Sequence, residues 1–339
     1  MKSGYWVPGI FILFIAAVFT FTGQVFAYSS SSPMVLVCSV DNPPGDMKAK
    51  TVKRIGDLVS KRTDGRIKFK YFWGSSLIKK PQFVDAVAMG IADISTGPVS
   101  FITGKIPELS IFEIYGSYRL DKYVEIQHAV WGPMVKLFEP KGIHPLMFQY
   151  SGTALFPHRS KLLNTPADWK GQKMRLAGRW QASMGKKWGA VSIFMPPGDV
   201  YLAVQRGVID GYMLIWDIVA GLKLYEVSPY ILDTGFSGNI EVVTMNLKKW
   251  KKLTNKDRAI FQQVLDEVTE WTYTETIKHY DNVRKKIASK GITIHTLTAE
   301  EKTLYLKEVK KLYPEVRKVS GKIGNQFIDI LEANNFSDK

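Results

Sequence analysis

The chain has 339 residues, 45% of them hydrophobic, with a single cysteine and a formal net charge of +15 from 46 lysines and arginines against 31 aspartates and glutamates. That apolar content suffices for one large core or two ordinary lobes, and one cysteine excludes a disulfide framework. The basic balance points to nucleic acid, an anionic membrane or an anionic ligand. The lysines, however, are dispersed as pairs (Lys79-Lys80, Lys186-Lys187, Lys248-Lys249, Lys285-Lys286) without the aromatic interleaving of a strand-binding groove, so no nucleic-acid partner is expected.

Residues 1–27 read as a secretory signal: a cation at Lys2, an apolar run over 10–19, and Val25-Phe26-Ala27 as a cleavage site. Gly9, Thr20, Thr22, Gly23 and Gln24 break the run below the roughly 18 unbroken residues a membrane span needs. The mature chain is therefore expected to begin near Tyr28 and to reside in the periplasm. Cys38 lies in the apolar run Met34-Val35-Leu36-Val37-Cys38 and reads as a small core residue.

From there strands and helices alternate. A strand is expected over 34–40, a helix over 47–62 with Val52, Ile55, Leu58 and Val59 on one face, a strand over 67–73, a helix over 81–89 closed by Gly90, and a strand over 91–95. This βαβα order predicts an α/β fold with a largely parallel sheet, whose ligands sit beyond the carboxyl ends of the strands. After an irregular middle, a strand over 143–150 ends a first lobe, residues 28–150. A second α/β lobe, 151–240, follows: strand 172–176, helix 180–188, helix 199–206 and strand 208–214. The remainder, 241–339, holds a crossover strand and C-terminal helices that return across both lobes. One helix is expected over 256–289, capped by Asn255 or Thr254, and another helical region over 299–331 is interrupted near Pro314.

Catalytic constellations are missing from the sequence: no His-Glu-x-x-His, no Gly-x-Ser-x-Gly, no cysteine pair at zinc spacing and no Gly-x-Gly-x-x-Gly. The five histidines (His128, His144, His158, His279, His295) lie on elements of different type. The reading is therefore a binder and not an enzyme, with no cofactor or metal.

Two stretches carry a resemblance. Asp57-Leu58-Val59-Ser60-Lys61-Arg62-Thr63-Asp64-Gly65, Phe72-Trp73-Gly74-Ser75-Ser76-Leu77 and Ala86-Val87-Ala88-Met89-Gly90-Ile91-Ala92-Asp93 form the first. Thr165-Pro166-Ala167-Asp168-Trp169-Lys170-Gly171-Gln172-Lys173-Met174-Arg175, Trp188-Gly189-Ala190 and Val200-Tyr201-Leu202-Ala203-Val204-Gln205-Arg206-Gly207-Val208-Ile209-Asp210-Gly211 form the second. Both are similar to the TRAP-transporter solute-binding (DctP-like) family over roughly 34–330. The resemblance implies a two-lobed periplasmic-binding-protein fold with hinge strands and a long C-terminal helix bracing both lobes. It also implies a receptor that captures a small carboxylate and delivers it to the membrane permease of a TRAP system. An ABC-importer or sensor binding protein is the alternative, and a secreted enzyme on the same fold a third reading.

In that family the arginine ending the Lys-Gly-x-Lys-x-Arg segment grips the ligand carboxylate, which places the role on Arg175; a planar guanidinium meets a carboxylate through two parallel hydrogen bonds. Arg179 and Trp180 follow, where a helix start could present backbone N–H groups to the same anion. Leu214 and Trp216 lie where the family places a further, commonly polar, ligand-facing residue, and Leu214 there suggests an apolar ligand portion. Trp73 and Tyr150 are further candidate cleft aromatics. Lys80 stands where sugar-acid-binding subgroups carry an acid, and Leu155 where they carry a second arginine, so a sugar acid is disfavoured. An aromatic or branched aliphatic monocarboxylate, a 2-oxo or 2-hydroxy acid, is expected first and a dicarboxylate second.

Overall fold

The computed structural model describes residues 28–238 and 240–335, with Met1; the expected signal segment otherwise lies outside the described residues. The first sheet and its helices come from β1 (Met34–Ser39), α1 (Met47–Arg62), β2 (Ile67–Phe72), α2 (Phe83–Met89), β3 (Ile94–Pro98), α3 (Tyr123–Phe138) and β4 (Ile143–Tyr150). α1 spans the residues its periodicity predicts. The Asp46 carboxylate starts it by accepting the Lys48 backbone N–H at 2.8 Å, and Val52, Ile55 and Val59 bury its inner face. Gly90, at φ +79°, closes α2 in the left-handed region.

The second sheet and its helices come from β5 (Thr153–His158), β6 (Lys173–Arg175), α4 (Arg179–Lys187), β7 (Val191–Ile193), α5 (Val200–Gln205), β8 (Gly211–Tyr212), α6 (Trp216–Gly221) and β9 (Tyr230–Ser237). The chain then returns through β10 (Ile240–Asn246), α7 (Leu247–Lys252), α8 (Asn255–Ala288), β11 (Thr293–Thr296), α9 (Ala299–Lys310), α10 (Tyr313–Val319) and α11 (Gly321–Asn335).

The strand orders are β2-β1-β3-β10-β4 and β11-β9-β5-β8-β6-β7. Each sheet is parallel except for one strand: β10 runs antiparallel to β3 and β4, and β5 antiparallel to β8 and β9. The largely parallel expectation holds, and the one reversed strand in each sheet comes from the chain path. β4 leaves the first sheet to become β5 in the second, and β9 leaves the second to become β10 in the first. A strand arriving from the other lobe runs opposite to its hosts, so the carboxyl ends of the parallel strands in both sheets face the space between the lobes.

Other differences are local. The helix α3 falls in the stretch that the sequence leaves irregular; Tyr123, Ile126, Val130, Met134 and Leu137 bury one helical face, with Pro133 inside the helix. The strand expected over 208–214 shrinks to Gly211–Tyr212, with Leu214 making an isolated bridge to Leu155. The third strand begins at Ile94, since Ile91 turns outward and is 54% exposed.

α8 braces both lobes. Thr254 caps it through Oγ1, which accepts the Asp257 N–H at 3.1 Å. Phe261, Val264, Leu265 and Val268 enter the core beneath α1, and Tyr280 and Ile287 enter the core of the second lobe. At roughly 1.5 Å per residue its 34 residues span about 50 Å. α9 packs on the turn Pro166–Trp169 of the second lobe, and α11 on α3 and the turn Pro107–Glu113 of the first.

At the first crossing Gly152 sits at φ +109°, and a Cβ there would lie 2.0 Å from the Tyr280 ring. Tyr280 cannot simply yield, because its hydroxyl donates to Ser151 O at 2.7 Å. Gly152→Ala should therefore destabilise the protein by on the order of 2 kcal/mol or more in urea unfolding. Gly198→Ala, with nothing within 4 Å of its Cβ position, should stay within about 0.5 kcal/mol of the parent; equal effects would remove the steric account of the hinge.

Candidate ligand cleft

Between the carboxyl ends of the two sheets lies a cavity of about 160 Å³, walled by Lys48, Lys80, Ser100, Phe101, Tyr115 and Glu241 on one side and Arg175, Gln181, Leu214 and Ile215 on the other. Arg175 ends β6, paired in register with Tyr212 of β8 and Ile193 of β7. It is 3% exposed. Its Nε donates to Met195 O at 2.9 Å and its Nη1 to Met213 O at 3.2 Å, so two carbonyls aim the fork. No ion pair joins it to an acid among the described residues. Burial pushes its pKa down, partly offset by Tyr115, yet a guanidinium stays charged throughout the working range. A buried cation with no acidic partner is costly unless an anion joins it.

The other two cations are already compensated. Lys48 Nζ lies 2.9 Å from Glu241 Oε1 with both side chains buried. Burial works against the Lys48 charge, but Glu241, Asp46 and Asp41 outweigh it and hold the ammonium above its ordinary pKa. Lys80 Nζ lies 3.1 Å from Asp41 Oδ2. Glu241 Oε2 is buried without a hydrogen-bond partner among the described residues, an acceptor left open in the cavity wall. Leu214, Ile215, Ile218, Met213 and Phe101 make the rest of the wall apolar.

Glu113 closes the lobes together beside this cavity. From the first lobe its Oε1 accepts the backbone N–H of Trp180 at 2.6 Å and of Gln181 at 3.4 Å, and its Oε2 accepts the Thr103 hydroxyl at 2.7 Å. It therefore occupies the start of α4, where the sequence expects a ligand anion. Gly178 permits this, since a Cβ there would lie 2.1 Å from Glu113 Oε1.

Of the residues singled out from sequence, Arg175, Leu214 and Lys80 line the cavity. Trp180 is 3% exposed and sits in the core, with the Arg179 guanidinium 5.3 Å over its ring. Trp216 is buried in the second lobe's core, Trp73 stacks on Tyr71 with centroids 4.8 Å apart, and Tyr150 faces a different cavity on the hinge side. Sequence reading did not find Lys48, Tyr115, Gln181 or Glu241. Glu241 had a visible signal: it is the lone acid in the otherwise uncharged run Ile240–Asn246. No group of three or more metal-ligating side chains occurs among the described residues, nor a helix long and apolar enough to cross a membrane.

Two α/β lobes closing on a buried, unpaired arginine define a solute-binding receptor. The family described as "Bacterial extracellular solute-binding protein, family 7" (DctP) matches residues 38–319, and the chain belongs to it. Its members are extracytoplasmic receptors of transport systems, not enzymes. A solute-binding protein of Albidiferax ferrireducens is 28% identical over 67% of this chain and 68% of its own. The C4-dicarboxylate-binding periplasmic protein DctP of Vibrio cholerae is 23% identical over 88% and 87%. A TRAP periplasmic solute-binding protein from Desulfovibrio salexigens, solved with bound orotic acid, superposes with a TM-score of 0.79 at 23% identity, covering 88% of this chain and 98% of that one. The fold expected from sequence is the fold of these receptors.

Burial pushes the Glu113 carboxyl from its ordinary 4.5 to about 7, against the hydrogen bonds it accepts. A carboxyl whose folded pKa exceeds its unfolded one favours folding fully below the unfolded value and loses that contribution as pH rises through the folded one. Stability should thus fall by on the order of 3 kcal/mol or less between about pH 4.5 and 7 from this group. Burial also pushes up the Glu241 carboxyl, which acts in the same direction. Glu113→Gln should flatten, without abolishing, the slope of unfolding free energy against pH in that window; an unchanged slope would show that Glu113 does not titrate there.

Proposed function

We propose that the chain is the receptor of a TRAP-type, ion-gradient-driven importer for a monocarboxylate with an apolar body, preferentially a 2-hydroxy or 2-oxo acid. The observation that carries this is the charge balance of the cleft: among its described cations only Arg175 lacks an acidic partner. A ligand with one negative charge neutralises it, and a second charge would meet lysines already paired. The apolar wall around Leu214 and Ile218 suits the ligand's body, and the open Glu241 Oε2 favours a hydroxyl able to donate. On this reading residues 1–27 direct export and are removed, lobe closure excludes water from the arginine–carboxylate pair, and membrane permease subunits receive the closed form.

A dicarboxylate is the second reading, favoured by the nearness of Lys48 and Lys80 to the same cavity and by the name of the Vibrio cholerae relative.

Calorimetric titration of the chain from Tyr28 onward with 3-phenyllactate, 2-hydroxyisocaproate, succinate and the uncharged phenyllactamide tests it. The two monocarboxylates should bind, and the amide should bind at least about tenfold more weakly. Arg175→Ala should cost about 2–5 kcal/mol of binding while the melting temperature is kept, and Arg175→Lys should not restore it. Tighter binding of succinate would replace the monocarboxylate with the dicarboxylate. Undiminished binding by a folded Arg175→Ala would remove the arginine from the site.

A further inference from the structure

We infer that a second cavity, on the hinge side of the molecule, is a binding site for an apolar carboxylate, separate from the cleft and independent of what the cleft takes. It measures about 830 Å³, far larger than the cleft cavity. Its walls come from both lobes: Tyr118 from the first, Phe236 of β9 from the second, and Tyr273 and Ile277 of α8 and Leu306 of α9 from the braces. Tyr150, the last residue of β4, forms part of its floor.

Three features favour an amphiphilic anion there. The surface is mostly aromatic and aliphatic, the usual design of a small-molecule site, and Ile277 remains 39% exposed at its mouth. The rim is basic: Lys302 and Lys307 form no ion pair with any acid among the described residues, whereas Arg119 is paired with Asp121 at 2.6 Å. The Lys302 ammonium leans over the β9 backbone, where a Cβ on Gly235 would lie 2.8 Å from Nζ. Deeper in, the Tyr118 hydroxyl is buried with no hydrogen-bond partner among the described residues, and the residue is only 3% exposed. A buried hydroxyl without a partner is unfavourable. A carboxylate entering between Lys302 and Lys307 would meet two cations, its chain would cover the aromatic floor, and Tyr118 would supply a donor within the same cavity.

The cleft cavity and this one share a wall. Tyr115 lines the first, Gly116 and Tyr118 the second, with Gly116 at φ +82° turning the chain between them. Leu306 and Phe236 would meet a Cβ on Gly116 at 3.1 and 3.4 Å, so the segment is packed from the hinge side.

The test is calorimetric titration of decanoate, with 8-anilinonaphthalene-1-sulfonate fluorescence as a second probe, on the chain from Tyr28 onward. Decanoate should bind at one site and displace the dye. Reversing both rim lysines, Lys302→Glu with Lys307→Glu, should weaken decanoate about tenfold or more. Thr303→Trp, at an exposed wall position, should block it by filling the cavity. Both variants should keep the parent's circular dichroism and melting temperature, and Arg175→Ala should leave decanoate binding unchanged. Absence of decanoate binding, loss of it in Arg175→Ala, or full retention in the rim and filling variants would each overturn the proposal. If the Thr303→Trp variant fails to fold, the lysine reversals decide alone.

Discussion

β4 becomes β5 and β9 returns as β10, and the direction forced on these strands governs where everything else lies. Because each crossing strand enters its new sheet reversed, the parallel strands of both sheets end at the same gap. Arg175 at the end of β6, Leu214 just beyond β8 and Ser100 just beyond β3 are thereby brought to one cavity from positions far apart in sequence. Glu241 arrives from the opposite side, at the start of the reversed strand β10, so its carboxylate meets Lys48 from α1 across the sheet's end. The site is a consequence of topology before it is a consequence of any one side chain.

Electrostatics in that gap divides unequally between the lobes. The first lobe brings cations already matched by Glu241 and Asp41, and the second brings Arg175, held among the described residues by the carbonyls of Met195 and Met213. Carbonyl dipoles orient a guanidinium without neutralising it, so its charge remains for a ligand. Glu113 has the converse role. It fills the start of α4, and so removes a competing anion site while tying Thr103 of one lobe to the Trp180 and Gln181 amides of the other.

Elements whose signals are local were legible in the sequence. α1 and α8 announce themselves by apolar periodicity, and α8 also by a cap at Thr254, and their observed bounds differ from expectation by at most a residue. β5 and β8 carry little such signal, because their partners lie far along the chain and burial on both faces erases alternation. The cleft divides in the same way. Arg175 could be named because a contiguous motif surrounds it, whereas Lys48 and Glu241 are 193 residues apart and gain meaning only as a pair. The aromatics expected in the cleft went instead to packing: Trp180 and Trp216 are buried in the core, and Trp73 is half-buried against it, since a large apolar ring gains more from packing than from lining a solvent-accessible gap.

The surplus of positive charge and the specificity of the cleft are separate properties. Lys53, Lys105, Lys278 and Lys311 are more than half exposed even though each is paired with an acid, and at physiological ionic strength such charges are screened beyond about 8 Å. They raise the local concentration of anions near the protein but cannot distinguish one from another. Discrimination needs a charge shielded from bulk water, and Arg175, 3% exposed and aimed by two backbone carbonyls beside the apolar wall, meets that condition. The basic surface attracts anions of every kind; the buried fork, with the apolar wall beside it, selects among those that arrive.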